Sequence, residues 1–479
     1  MPYQEPSMCG RLSWAGKLCG LGALLGLLLL PAGKNASGQL LPPVLGPPVH
    51  DNGGGTKGEA GADKAIRLLK VIPVPGTNAN ATNGKLYSFD ISWVDQHTQT
   101  YYLADRSNAV IDVVDAKTGT FAGQIPGGFK GVAVVGGVVQ SGQSGPNGVV
   151  TGGHCLFATD APSRVVSFDL TAAFPPPVVS SVSTGGADSF RADELAYDPK
   201  DGLLLVINAN DTPPFGTFIK VNKATCGLTP PTSANRLTLD TAHGVNATNG
   251  AEQPVWEPVT GRFYLSIPQI GSTVSHGGVV RIAPNATTVE ATYGVDYCGP
   301  AGLTVGPKQD LFVGCNTVFD TAGNVWSPGG TVTAAPQDVI IDAKTGAIDA
   351  HVYGVGAGDE VWFNAGDGNY YATGSGSPFR PTPASAAQGS TPLGVVDASD
   401  QTVLQLVTTF NVPAVGTGNS TTQHPAGTAH SVAANARNNH IFVPLAANNA
   451  FSAFAVPGGG SVADCESGCI AVFGHPDED

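Results

Sequence analysis

The stretch DELAYDPKDGLLLV, which runs from Asp193 to Val206, places two carboxylates directly before a run of apolar residues. It reads as a strand, a polar turn and a second strand. Four other stretches follow the same plan: DISWVDQHTQTYYL from Asp90, EQPVWEPVTGRFYL from Glu252, DEVWFNAGDGNYYA from Asp359 and HSVAANARNNHIFV from His430. We interpret these stretches as copies of one repeated structural unit.

Each copy continues with a third strand, such as VIDVVDAKTG (110–119) or DVIIDAKTG (338–346), and often with a fourth. Four-stranded units in series, at a period of roughly 40–60 residues, are typical of a β-propeller. We count seven units. Their inner strands are predicted to begin near Asp90, Lys130, Asp193, Glu252, Ala301, Asp359 and His430.

The two ends of the repeat region indicate how the ring closes. A lone strand, AIRLLKVIPVPG (65–76), precedes the first unit, whereas HIFVPLAAN and GCIAVFGHP supply only the middle strands of the last one. The sequence therefore predicts an all-β fold, a seven-bladed β-propeller closed by an N-terminal strand that completes the last blade. Such closure removes an open sheet edge that would invite aggregation.

Composition and the N-terminus predict an exported protein. The chain has 479 residues, of which 64 are Gly, 37 are Pro and only 13% are charged. Residues 1–38 read as a signal peptide, because Arg11 and Lys17 precede the apolar run LCGLGALLGLLLLPAG; a membrane anchor is the alternative. The remaining predicted regions are a flexible Pro/Gly-rich lead-in (39–65), the propeller (66–475) and an acidic tail (476–479).

The charge balance limits the classes of partner. The net charge of −14 should repel nucleic acid and anionic membranes. We therefore expect a secreted or periplasmic monomer that binds a small-molecule ligand or substrate. We expect no nucleic-acid partner and no stable membrane insertion after signal cleavage.

Six cysteines remain after the signal peptide, and an even count in an exported chain predicts disulfides. We predict the pairs Cys155–Cys226, Cys298–Cys315 and Cys465–Cys469. The short spacing of the last pair would also suit a metal, but no second such pair lies nearby.

The first residue of each unit is the main candidate for function. In a propeller these positions converge on one mouth of the central channel, so distant acids form a ring. Clustered carboxylates repel one another unless a cation or shared protons compensate. The predicted metal ligands, for Ca²⁺, Mg²⁺, Mn²⁺ or Zn²⁺, are Asp90, Asp193, Glu252, Asp359 and His430. The alternative is a solvated polar funnel.

Further candidates lie beside this ring. Asp105 and Asn208 end second strands and are predicted, with Glu194, to contact substrate. Glu360 and His430 are predicted to handle protons as catalytic groups. The alternative for Glu194 and Glu360 is hydrogen bonding to adjacent loops.

The DAKTG turns, with strands such as TYYLADRSNAVIDVVDAKTG, resemble YVTN-type repeats of bacterial exported propellers from about residue 65 onward. This resemblance implies a fold rather than an activity, since that superfamily includes lactonases, lyases, oxidoreductases and plain binding proteins. Two functions are consistent with it. One is a metal-dependent, lactonase-like hydrolase; the other is a non-catalytic propeller that binds a small molecule, a glycan or a protein.

Overall fold

The computed structural model describes residues 65–136, 138–188, 190–326, 332, 334, 336–355, 358–374, 392–408, 429–447 and 467–476. The predicted signal peptide, Cys465 and most of the lead-in and acidic tail lie outside these residues. The described part consists of β-strands and four short 3-10 helices, without an α-helix. The 3-10 helices span Ser141–Gln143, Ser233–Asn235, Thr241–His243 and Pro307–Gln309. No helix in this part is long and apolar enough to cross a membrane.

We divide the strands into seven units in chain order, after a first strand β1 (Arg67–Pro73). Hydrogen bonds join the fourth and fifth of these units in one eight-stranded sheet. Unit 1 contains β2 (Ser92–Asp95), β3 (Thr100–Asp105), β4 (Val110–Asp115) and β5 (Thr120–Pro126). A small hairpin, β6 (Val134–Val135) and β7 (Val138–Val139), follows. Unit 2 contains β8 (Val149–Gly152), β9 (Cys155–Asp160), β10 (Arg164–Asp169) and β11 (Val178–Ser183). Unit 3 contains β12 (Leu195–Asp198), β13 (Leu203–Asn208), β14 (Phe215–Asn222), β15 (Gly227–Leu228) and β16 (Arg236–Thr238).

The remaining units have the same plan. Unit 4 contains β17 (Pro254–Glu257), β18 (Arg262–Ile267), β19 (His276–Ile282) and β20 (Ala291–Asp296). Unit 5 contains β21 (Cys298–Val305), β22 (Asp310–Val318), β23 (Gln337–Asp342) and β24 (Ile348–Tyr353). Unit 6 contains β25 (Gly358–Asn364), β26 (Asn369–Gly374), β27 (Pro392–Asp397) and β28 (Thr402–Thr408). Unit 7 contains β29 (Ala433–Asn435), β30 (His440–Leu445) and β31 (Cys469–Gly474).

Within each unit, strands that are hydrogen-bonded neighbours run antiparallel, and in units 1, 3 and 4 an acid at the end of the first strand fixes the turn. In unit 3, Oδ1 of Asp198 accepts the backbone N–H of Lys200 at 2.8 Å. Asp95 does the same for His97 in unit 1, also at 2.8 Å. A short carboxylate that accepts backbone N–H groups two or three residues ahead stabilises a turn. The recurring acid–turn pattern therefore reflects hairpin geometry.

Buried apolar side chains join each unit to the next. Seven separate apolar clusters among the described residues each combine side chains from two consecutive units. One of them packs Tyr101 and Leu103 of unit 1 against Phe442 of unit 7. The first strands are also neighbours in order, from β2 and β8 through to β25 and β29, and β29 lies beside β2.

The N-terminal strand belongs to the last unit. β1 pairs antiparallel with β31, from Arg67 opposite Gly474 to Pro73 opposite Cys469. It is the outermost of four strands in the order β29, β30, β31, β1. The first described strand of the chain therefore covers the edge of the last.

The first strand of unit 2 lies elsewhere than the sequence suggested. It begins at Val149, and the segment near Lys130 instead leads into the β6–β7 hairpin. Val134 and Val135, whose apolar character suggested a buried inner strand, are exposed there. The backbone N–H of Lys130 donates to Oδ1 of Asp160 at 3.1 Å, so this loop packs on unit 2 without forming a strand.

Two of the three predicted disulfides are present. Cys155–Cys226 joins unit 2 to unit 3 with a Cα–Cα distance of 5.4 Å, and Cys298–Cys315 joins two strands of unit 5 with a Cα–Cα distance of 5.1 Å. The third predicted pair includes Cys465, which lies outside the described residues, and it stays a prediction.

Candidate functional site

The first strands share a backbone register that brings distant residues to one depth. The backbone N–H groups of Asp90, Asp193 and Glu252 each donate to a carbonyl of their unit's second strand, at 2.9, 2.7 and 3.0 Å. Asn147 of unit 2 makes the same bond, at 3.0 Å. We name this place in each unit the ring position. Its occupants are Asp90, Asn147, Asp193, Glu252, Ala301, Asp359 and His430.

His430 connects three units through its ring nitrogens. Its Nε2 lies 2.7 Å from Oδ1 of Asp90 in unit 1, and its Nδ1 lies 2.9 Å from Oδ2 of Asp359 in unit 6. Asn316 donates to the other oxygen of Asp359 at 3.1 Å. Three of the five predicted ring residues are therefore in direct contact, although 340 positions separate Asp90 from His430.

Two arginines that the sequence interpretation did not single out neutralise part of this ring. Arg106, which is buried, forms an ion pair with Oδ2 of Asp90. Arg191 reaches the same oxygen at 3.2 Å and Oδ2 of Asp193 at 2.7 Å. Arg106 directly follows the second strand of unit 1, and Arg191 stands two residues before the ring position of unit 3. The ring is consequently an ion-pair network.

The network fixes opposite charges on Asp90 and His430. Burial disfavours the charged carboxylate of Asp90, but Arg106, Arg191 and His430 outweigh it and hold the pKa of Asp90 well below its usual value. Burial alone would lower the pKa of His430, but the carboxylates of Asp359 and Asp90 raise it to about 10. His430 is therefore an imidazolium at neutral pH that donates from both nitrogens.

The acids on the other side of the ring are less well compensated. Burial raises the pKa of Asp193 to about 6, although Arg191 lowers it. Burial, with repulsion from Asp359 and Asp193, raises the pKa of Glu252 well above its usual value. Within the described ranges, no basic side chain forms an ion pair with Glu252, which is half-buried. Glu252 is the ring carboxylate with the weakest local compensation.

The residue after the ring position faces the next unit. In unit 6 this residue is Glu360, which is 1% exposed. Its Oε2 accepts the N–H of Val432 at 3.1 Å and the N–H of Ser92 at 3.2 Å, and it also accepts from the hydroxyls of Ser92 and Ser431. Glu360 thus joins units 6, 7 and 1 from a buried position. This placement gives no geometric support to the catalytic role predicted for Glu360.

Asp105 and Asn208, which were predicted to contact substrate, lie in buried networks. Asp105 accepts from Asn108, at 3.0 Å from the backbone N–H and 2.5 Å from the side-chain amide, and burial raises its pKa to about 6. Oδ1 of Asn208 accepts from Thr184 at 2.8 Å, and its amide donates to Ser163 at 3.1 Å. Both are fully buried, so their visible contacts hold loops in place. The substrate contacts stay predictions.

The donor atoms of the predicted metal ligands do not converge on one point. Across the residues that the structure describes, the one group of three potential ligands within 4.8 Å is His154, Cys155 and Cys226. Cys155 and Cys226 form a disulfide, so they are not metal ligands. His430 has both nitrogens directed at carboxylates and offers no lone pair while it is doubly protonated. A cation at this mouth would therefore depend on the remaining acids.

Comparisons with known proteins support the fold alone. Hydrazine synthase from Kuenenia stuttgartiensis is similar in structure, with a TM-score of 0.50, 11% identity and coverage of 77% of this chain and 95% of that chain. The WD40 β-propeller domain of Doa1 has a TM-score of 0.47 and 12% identity, and covers 86% of this chain and 98% of that one. No family model matches the sequence, and no curated protein matches it. The chain folds as a β-propeller.

Proposed function

We propose that this protein is an exported, seven-bladed β-propeller that binds a small polar ligand at its channel mouth without chemically changing it. Seven apolar junctions and the contact of β29 with β2 support a closed ring of seven blades. The pairing of β1 with β31 supports completion of the last blade by the N-terminal strand. The two disulfides are compatible with a secreted or periplasmic location.

The state of His430 is the observation that favours binding over catalysis. A lactonase-like reaction requires a group that accepts a proton near neutral pH. His430 is already protonated there, because Asp90 and Asp359 raise its pKa to about 10. Glu360, the other predicted catalytic group, is buried and accepts hydrogen bonds from three neighbouring residues.

The groups at the mouth define the kind of ligand. Arg191, Glu252, Asp359 and His430 are each partly exposed, so donors and acceptors both face solvent there. Because Arg191, Asp359 and His430 are held by ion pairs, these three groups need little reorganisation on binding. A ligand with hydroxyl or ammonium groups, such as a polyol, sugar or amine, matches these groups.

The test is a thermal-shift screen of the purified protein against a panel of polyols, sugars and amines. Members of this panel should bind, and calorimetry should give dissociation constants for the hits. Glu252→Gln should weaken binding about tenfold, because a hydrogen bond to a charged acceptor contributes roughly 1.5–3 kcal/mol. Glu290→Gln is the matched control, since Glu290, directly before β20, pairs with Arg262 on β18 and Arg281 on β19. Lactone hydrolysis that is lost in His430→Asn would overturn the proposal and support the hydrolase.

A further inference from the structure

The residue after the ring position makes the same kind of contact with the next unit in units 4 and 6. In unit 4, Oε1 of Gln253 accepts the N–H of Leu303 at 2.6 Å. In unit 6, Oε2 of Glu360 accepts the N–H of Val432 at 3.1 Å. Leu303 and Val432 each stand two residues after the ring position of the following unit. The side chain in one blade therefore binds a backbone N–H on the inner strand of the next.

Two glycines at the same place show that this position faces the next blade in other units as well. A Cβ on Gly148 of unit 2 would lie 3.1 Å from Cα of Glu194 in unit 3. A Cβ on Gly302 of unit 5 would lie 3.0 Å from the backbone nitrogen of Val361 in unit 6. The direction of this position is thus a property of the repeat and not of one side chain.

Unit 3 cannot make this contact, because the residue at the partner position in unit 4 is a proline. Glu194 holds the position that Gln253 and Glu360 hold in their units. The residue two after the ring position of the next unit is Pro254, which has no backbone N–H. The backbone donor that Leu303 and Val432 supply in units 5 and 7 is therefore missing here.

Glu194 carries the consequence of the missing donor. It is only 6% exposed, and its Oε2 is buried without a hydrogen-bond partner among the described residues. A buried unpaired carboxylate oxygen is costly. Its surroundings add to this cost: besides burial, Asp193, Glu252, Asp359 and Asp90 all raise the pKa of Glu194. These four acids occupy ring positions, so Glu194 lies against the ring.

The charge balance of this cluster gives the charge of the missing partner. The acids are Asp90, Asp193, Glu194, Glu252 and Asp359, and the cations are Arg106, Arg191 and His430. Five negative and three positive groups leave two negative charges when all are ionised. Asp90, Asp193 and Asp359 each contact a cation, so the excess belongs to Glu194 and Glu252.

We propose that a hard divalent cation, of the class of Ca²⁺ or Mg²⁺, binds between Glu194 and Glu252 at the place where Pro254 removes a backbone donor. Two carboxylates completed by water are a common ligand set for such ions. Zn²⁺ is disfavoured, because His430 has no free nitrogen lone pair to offer. The inference rests on the closed ring of the proposed function but does not require its organic ligand.

The test uses the purified full chain, stripped with a chelator and then titrated with CaCl₂ or MgCl₂ by calorimetry. Thermal unfolding is measured in parallel, since an ion that binds the native state raises Tm. One of the two ions should bind with a stoichiometry near one. Glu194→Gln and Glu252→Gln should each weaken binding by about tenfold or more, because each removes a ligand charge. Glu290→Gln, the same change directly before the outer strand β20, should leave the affinity within about twofold.

Pro254→Ala is the sharper variant, because it restores the missing N–H without changing any charge. Glu194 would then accept from this backbone group, as Gln253 and Glu360 do, and would be drawn away from the ion. Cation affinity should fall by about tenfold, which matches one charge-assisted hydrogen bond. Circular dichroism should confirm that the variant keeps its β structure.

Three results would overturn the site: no calorimetric response to either ion, a Tm that does not change with chelator, or wild-type affinity in Glu194→Gln. If mild acid raises Tm and neither ion changes it, a proton rather than a cation neutralises Glu194 and Glu252. These failures are separable from failure of the proposed function. If neither ion binds but the organic ligand still binds after chelation, the proposed function stands and the cation site does not. If a cation binds but no organic ligand does, only the cation site is supported.

Discussion

A histidine that donates from both ring nitrogens to carboxylates is a fixed positive charge. His430 holds units 1, 6 and 7 together through Asp90 and Asp359, which approach it at 2.7 and 2.9 Å. The acids beside His430 suggested a catalytic base. The same acids keep His430 protonated, so it cannot accept a proton near neutral pH. Proximity to a carboxylate favours the charged imidazole, and two carboxylates favour it further.

Stability should therefore depend on the charge of His430. Its pKa is about 10 in the folded protein and 6.5 in the unfolded chain. This contribution is complete below about pH 6.5 and is lost as pH rises through about 10. In chemical denaturation from pH 6 to pH 10, the wild type should lose about 4 kcal/mol more of its unfolding free energy than His430→Asn loses. His97→Asn, at an exposed turn, should behave as the wild type; an equal slope in all three proteins would contradict the assignment.

Ionisation of Glu360 should also make the folded protein less stable as the pH rises. Burial raises its pKa to about 8, although hydrogen bonds from Ser431, Ser92 and Val432 lower it, while the unfolded value is 4.5. Stability is full below about pH 4.5 and is lost as pH rises through about 8, because ionisation becomes unfavourable in the folded state. Glu360→Gln keeps an acceptor oxygen and cannot ionise. Relative to the wild type, its free energy of unfolding should rise by about 4 kcal/mol between pH 5 and pH 9; a constant difference across this range would argue against a buried, titrating Glu360.

At the scale of elements, β1 is the strand with the largest structural consequence. Its residues alternate between two junctions: Val71 packs in the cluster between units 6 and 7, and Ile72 packs in the cluster between units 7 and 1. An outer strand that contacts both neighbouring blades is more than an edge cover. It contributes apolar area to two interfaces at once.

Truncation of Ile72 should therefore destabilise the folded protein strongly, although Ile72 lies on an outer strand. Ile72 is 3% exposed, and Ile72→Ala should lower the free energy of unfolding by about 2–4 kcal/mol, as burial-to-cavity changes do. Leu404 on β28, the outer strand of unit 6, is 55% exposed, and Leu404→Ala should cost less than about 0.5 kcal/mol. Equilibrium denaturation in urea measures both. Equal losses would show that β1 is not a structural part of the ring.

For the whole molecule, the repeat made much of the fold predictable from sequence. Hairpin turns that begin with an acid, such as those at Asp95 and Asp198, recur because each blade needs the same turn. Unit 2 was placed incorrectly because the valines near Lys130 imitate an inner strand, whereas its true first strand at Val149 follows no acid. Local pattern alone cannot separate an exposed hairpin from a buried one.

The acidic residues of the candidate site could be predicted from the sequence, whereas its two arginines could not. A shared register places Asp90, Asp193 and Glu252 at the same depth, and register can be read from a repeat. Arg106 and Arg191 have no counterpart in the other units, so repeat analysis passes over them. They come to the ring through loops specific to units 1 and 3. Their presence changes the conclusion from an acidic ring to a nearly balanced network.

Pairing of β1 with β31 also has a consequence for how the protein is made. The ribosome delivers β1 first and β31 after every other described strand, so the sheet that joins them cannot form during most of synthesis. Until then unit 7 lacks a strand and the junction around Phe442 is incomplete. Until β31 has been synthesised, β1 and the other strands of unit 7 stay accessible to chaperones.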